Sequence, residues 1–223
     1  MKNDSIIPAL VGLTVAWGGT ALLVSPADRL LGRPDQVSTK VLEQLVLWVL
    51  CAIIVAIVIF WDKEPLASLG FRPFRWSSPA WGLGLAAVTI YVVMPSLTWG
   101  LRAAGIPGFE AGLAKILVLP AWFRMLAVVT AGIVEDTLFV GYAFTRLTRI
   151  TGSPWVAGVV AGAVFSILHL PNWGVGPVLT YFVAIGFAMG FFAWRRDLLA
   201  NIVAHTIVDG MGLVVLPALA GVR

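Results

Sequence analysis

Five ionisable side chains stand inside apolar stretches of the C-terminal half of this chain: Glu135, Asp136, His169, His205 and Asp209. At mid-bilayer such a group costs about 2.5–3.5 kcal/mol on insertion scales, so each one calls for a partner or a function. His169 and His205 are the only two histidines of the chain. Carboxylates and imidazoles are also the groups that move protons in hydrolysis. A carboxylate withdrawn from water is a stronger base than one in solution, which makes Glu135 a candidate general base for a water molecule. The histidines could orient that water, or donate to the oxyanion of a tetrahedral intermediate.

Spacing ties these residues to shared faces. Phe165 and His169 are four apart, as are His205 and Asp209, so each pair lies on one side of its helix. Glu135 and Asp136 are adjacent, about 100° apart around a helix, and cannot point the same way. Three helices are thus expected to bring polar groups to one buried point. The other acids avoid the apolar stretches: Asp4, Asp28, Asp35, Asp62, Glu64, Glu110 and Asp197 fall in loops or at span edges, and Glu43 near a span start.

The elements that must position the cluster are membrane helices. Of 223 residues, 60% are hydrophobic and 12% charged, about half the charged content of soluble domains, and the mean hydropathy is +0.96. Several segments reach the roughly 20 apolar residues that a crossing helix needs. The reading is an all-α, polytopic helical bundle, one integral membrane domain over residues 1–223. Seven spans are expected: Ile6 to Val24, Val41 to Trp61, Pro79 to Leu101, Ala121 to Phe144, Pro154 to Leu170, Pro177 to Trp194, and Leu198 to Leu216. The amphipathic stretch from Ala103 to Pro120 is either an interfacial helix or an eighth span. The first span reads as an uncleaved helix, since Lys2 is the whole of its basic flank and no A-x-A cleavage site follows.

The net charge of +4 does not point to nucleic acid, because the cations sit in loops beside spans, facing lipid headgroups. Over the whole chain they divide almost evenly between the two sides. In the C-terminal half, Arg146, Arg149, Arg195 and Arg196 share one side, which predicts the N-terminus inside. The single cysteine, Cys51, is read as a small buried hydrophobe, and no internal disulfide is possible. Gly158/Gly162 and Gly186/Gly190 are small-xxx-small pairs that predict close helix packing.

At the costly residues the chain resembles the CPBP family of intramembrane proteases, which includes CAAX prenyl proteases and bacteriocin-processing enzymes and is also called the Abi family. The family pattern is EExxxR on one span, FxxxH on the next, and HxxxN or HxxxD on a later one. Here the first reads Glu135-Asp136-Thr137-Leu138-Phe139-Val140-Gly141, against the common EExxFRG form. The second reads Phe165-Ser166-Ile167-Leu168-His169, and the third His205-Thr206-Ile207-Val208-Asp209. The resemblance covers residues 121–216, the expected catalytic core, and Leu69-Gly70-Phe71 also looks like the family.

The resemblance implies an endopeptidase with its site inside the membrane. Carried over by motif position, Glu135 would activate the hydrolytic water with the help of His169. His205 and Asp209 would stabilise the oxyanion, and Asp136 would hold the site together. Two positions depart from the pattern: Asp136 replaces the second Glu, and Val140 replaces the motif Arg, which deprives Asp136 of an intrahelical partner. Arg146 is six residues beyond the motif position, about 240° around and roughly 9 Å along the helix, a poor substitute. An Asp at 209 can donate a hydrogen bond only when protonated. The cofactor expectation is a metal-free site, the alternative being zinc held by Glu135, His169 and His205.

The expected partners are the lipid bilayer and a membrane-anchored or membrane-delivered protein or peptide substrate, such as an anchoring signal or a bacteriocin leader. The expected location is a prokaryotic plasma membrane. Two other functions use the same residues. One is a proton-coupled transporter, although transporters often show two matching halves and here the costly residues crowd one half. The other is a catalytically silent relative acting as a membrane scaffold or immunity protein.

Overall fold

The computed structural model describes residues 6–24 and 37–221, which form helices and connecting turns with no strand among them. Lys2, Asp4, Asp28 and Asp35 lie outside the described residues. In chain order the helices are α1 (Ile6–Leu22), α2 (Val37–Trp61) and α3 (Ser77–Ala103), then α4 (Glu110–Leu117) and α5 (residues 121–151). They continue with α6 (Pro154–Leu168), α7 (Val175–Arg195) and α8 (Leu198–Leu219). By length and composition α2, α3, α7 and α8 can each cross a membrane, while α1 and α6 are shorter apolar helices. The eight residues of α4 rise only about 12 Å, less than half of a bilayer core.

The bundle is built around α5. Val134, Leu138, Val140, Tyr142 and Ala143 are fully enclosed, and the neighbouring helices are held to α5 by specific polar contacts. Between apolar helices in lipid there is little hydrophobic drive, so such contacts and small residues decide the arrangement. The Tyr142 hydroxyl donates to the Pro8 carbonyl on α1 at 3.2 Å. Trp48 Nε1 on α2 donates to Thr130 Oγ1 at 3.1 Å. Arg124 Nη1 donates to the Leu213 carbonyl on α8 at 3.1 Å. Gly132 lets α8 come closest: a Cβ there would run into Thr206 Oγ1 and meet the Ile202 carbonyl at 3.2 Å. That approach sets Glu135 and Asp136 opposite the His205 turn.

Helix α5 runs seven residues past its expected end because its last turns find carboxylates. Arg146 Nη2 reaches Asp62 Oδ2 at 2.8 Å and Glu64 Oε2 at 3.1 Å, and Arg149 Nη2 reaches Glu64 Oε1 at 2.7 Å. Arg146 is thus spent at the end of the bundle and does not serve Asp136. The following turn, Leu66–Leu69, ends at Gly70 in the left-handed region (φ 93°), where Phe192 and Leu198 leave no room for a side chain. The Gly70 carbonyl accepts from Leu198 N–H at 3.0 Å, so the turn also fixes the start of α8. Arg146 and Arg149 thus both end at the turn that follows α2.

Of the two glycine pairs, one packs: Gly162 on α6 faces Ile185 and Phe182 of α7. Among the described residues nothing comes within 4 Å of a side chain added at Gly186 or Gly190, so the expected close contact is not made there.

Burial pushes the Glu64 carboxyl up, but the Arg146 charge and the Arg149 hydrogen bond outweigh it and hold the group below its ordinary range. A depressed folded-state pKa adds stability above the unfolded value and loses it as pH falls through the folded one. The melting temperature in detergent is therefore expected to fall on acidification below about pH 4.3, more steeply for wild type than for Glu64→Gln. Arg146→Ala strands the buried Asp62 carboxylate and is expected to cost about 3–5 kcal/mol in reversible denaturation.

Candidate active site

The first motif lies on a stretch of α5, Ala131–Ala143, wound in the wide π-type manner with amide-to-carbonyl bonds reaching five residues back. Such windings recur at functional sites because they re-aim side chains within a helix. Here Asp136 points into the α5–α8 interface and is 2% exposed, whereas Glu135 is only partly buried. The two acids diverge as their adjacency requires. Glu135 lies within electrostatic reach of His169, His205, Asp209 and Asp136 together, so the cluster expected from sequence is assembled around it.

His205 bridges two acids. Its Nδ1 faces Asp136 Oδ1 at 3.1 Å and its Nε2 faces Asp209 Oδ2 at 3.5 Å. The second distance is an ion-pair separation rather than a short hydrogen bond. A histidine between two carboxylates can donate to both only as the imidazolium. This bridge gives Asp136 an interhelical partner where Val140 leaves it without the intrahelical one. Val140 is fully enclosed in the apolar core, and a histidine from another helix takes the place of the motif Arg on one oxygen of Asp136. The other oxygen, Oδ2, is buried with no partner among the described residues.

His169 sits one residue past the end of α6. Its Nδ1 lies 2.7 Å from the Phe165 carbonyl. A carbonyl only accepts, so Nδ1 carries the hydrogen and Nε2 is left as the acceptor when the ring is neutral. Phe165 also packs its ring on the imidazole at 4.5 Å between centroids and is wedged against Phe139 of α5 at 5.1 Å. The Phe of the second motif thus fixes both the tautomer and the tilt of the histidine.

One residue near the cluster carried no motif signal. Tyr181 on α7 stacks against His169 with ring centroids 4.7 Å apart. A tyrosine in an apolar span reads as core, and its distance of twelve residues from His169 has no helical meaning across a turn, so only packing reveals it.

For the zinc alternative the two histidines differ: His205 has both ring nitrogens turned to carboxylates, whereas His169, with Nδ1 on a carbonyl, keeps Nε2 available as a ligand. Among the described residues no three His, Cys, Asp or Glu side chains are disposed to hold a metal ion.

His205→Ala would leave Asp136 buried with neither oxygen partnered. It is expected to cost about 3–5 kcal/mol in denaturation experiments. The double variant His205→Ala/Asp136→Asn is expected to recover part of that loss, because it removes the stranded charge.

No curated protein and no solved structure matches the chain. A family model does match, that of Rce1-like proteins, type II CAAX prenyl endopeptidases, over residues 117–211. The matched segment is less than half of the chain, yet it contains Glu135, Asp136, His169, His205 and Asp209, the whole assembled cluster. With four helices long and apolar enough to cross a bilayer, this is an integral membrane protein whose residues 117–211 are similar to the Rce1-like, type II CAAX prenyl endopeptidases.

Proposed function

We propose that the chain is an intramembrane endopeptidase in which Glu135 activates water to cut a membrane-anchored or membrane-delivered protein or peptide. The observation that carries this reading is the position of Glu135 within electrostatic reach of both histidines and both aspartates. In its carboxylate form Glu135 can take a proton from water, while Nε2 of His169 accepts a hydrogen bond from the same water and orients it. The water oxygen bonds to the scissile carbonyl carbon and the carbonyl oxygen becomes an oxyanion. On collapse the C–N bond breaks, and the proton held by Glu135 passes to the departing nitrogen. Asp136 and Asp209 hold His205 in place between α5 and α8.

The family match favours a substrate ending in a prenylated CaaX sequence; an anchoring signal or a bacteriocin leader is the wider class. Seven crossings in a prokaryotic plasma membrane, with α4 lying at an interface, belong to the same proposal; four of the helices are long and apolar enough to cross. Two observations favour a second reading, a silent scaffold or immunity protein: Val140 stands where the motif has Arg, and one oxygen of Asp136 has no partner among the described residues.

Glu135→Gln separates the two readings. In proteoliposomes supplied with a prenylated CaaX peptide, the glutamate mechanism expects a loss of about 10²–10⁴-fold in kcat. Membrane proteomics of cells carrying wild type or Glu135→Gln should then show uncut precursors in the variant alone. A substrate still cut at the wild-type rate by Glu135→Gln would sink the reading.

A further inference from the structure

We propose that Tyr181 is a further catalytic residue, its phenol O–H donating to the oxyanion of the tetrahedral intermediate. The proposal rests on the glutamate-peptidase reading above and follows from a count of hydrogen-bond donors in the site. An oxyanion needs preorganised donors. The positions that the family resemblance offers for this task are His205 and Asp209. His205 already has both ring nitrogens turned to carboxylates, Asp136 on one side and Asp209 on the other. Asp209 as a carboxylate only accepts, and it carries no N–H of the kind an Asn there would bring. His169 has given its Nδ1 hydrogen to the Phe165 carbonyl. The motif residues are therefore rich in acceptors and short of a free donor.

Tyr181 supplies one from a helix that no motif includes. Its ring lies 4.7 Å from the His169 imidazole, 5.7 Å from Phe109, 6.0 Å from Trp173 and 6.4 Å from Phe165. These four partners clamp the ring from α6, from the turn after it and from the segment before α4. The orientation of the phenol is thus set by packing before any substrate arrives. Its hydroxyl is within electrostatic reach of both Asp209 and Glu135. Among the described residues no hydrogen bond engages that hydroxyl. A phenol, with an ordinary pKa near 10, also keeps its hydrogen throughout the neutral range, which a carboxyl does not. Purely structural packing would require the ring but not the oxygen, and this is the distinction a single-atom change can test.

Tyr181→Phe removes the oxygen and keeps the clamped ring. With a prenylated CaaX peptide in proteoliposomes, the expected result is a fall of about 10²-fold in kcat with KM within twofold of wild type. A phosphinate isostere of the same peptide, which mimics the tetrahedral intermediate, is expected to bind more weakly by a similar factor. The melting temperature is expected to stay at the wild-type value, and Tyr181→Leu, which destroys the ring clamp, to lower it. A Tyr181→Phe protein with wild-type kcat and phosphinate affinity overturns the assignment; if Glu135→Gln is inactive in that same assay, the glutamate mechanism stands without it. A peptide left uncut by wild type, or cut by Glu135→Gln at the wild-type rate, overturns both together.

Discussion

A carboxylate withdrawn from water must be given a cation or a donor, and Asp136 obtains one from a different helix. The His205 imidazole reaches it at 3.1 Å and reaches Asp209 at 3.5 Å, so a single ring ties the middle of α5 to two turns of α8. Because the surroundings are apolar, neither partner can be withdrawn without stranding the other. The remaining features of the active centre depend on that tie. It fixes which way Asp136 faces, and with it the direction left for Glu135. It also occupies both nitrogens of His205, which sets how many donors remain for a substrate.

The same constraint organises the ends of the bundle. Arg146, 1% exposed, is matched by Asp62 and Glu64, and Arg124, equally enclosed, donates to a carbonyl at the far end of α8. Together they anchor both ends of α5, the helix that carries Glu135. Gly132 completes the arrangement by removing the side chain that would keep α8 away. Precise placement of catalytic groups requires this kind of support from neighbours that do no chemistry.

Around His169 the positioning is aromatic rather than ionic. Phe165 provides the carbonyl that sets the tautomer and the ring that sets the tilt, while Tyr181, Trp173 and Phe109 close the other side. The site is therefore half ionic and half aromatic. The ionic half lies between α5 and α8, and the aromatic half between α6, α7 and the turns beside α4. Both halves face Glu135, and the match to the CAAX endopeptidase family spans them from residue 117 to residue 211.

The residue types and their spacing already marked the clustered residues, because an ionisable group in an apolar run stands out by its cost. Relations within one helix were legible too. The four-residue interval predicted that Phe165 would meet His169 and that His205 would meet Asp209, and both contacts are present. What the sequence could not reveal are pairs far apart in the chain. Asp136 and His205 are 69 residues apart, and Arg146 and Asp62 are 84 apart, so no local period records them. Tyr181 looked like an ordinary core aromatic until α7 was laid against His169, and Gly186/Gly190 looked like a packing face, yet no helix among the described residues meets it. Helical period fixes which side chains share a face. Only the packing of α5, α6, α7 and α8 decides which faces meet, and in a membrane that choice turns on whether each buried polar group finds its partner.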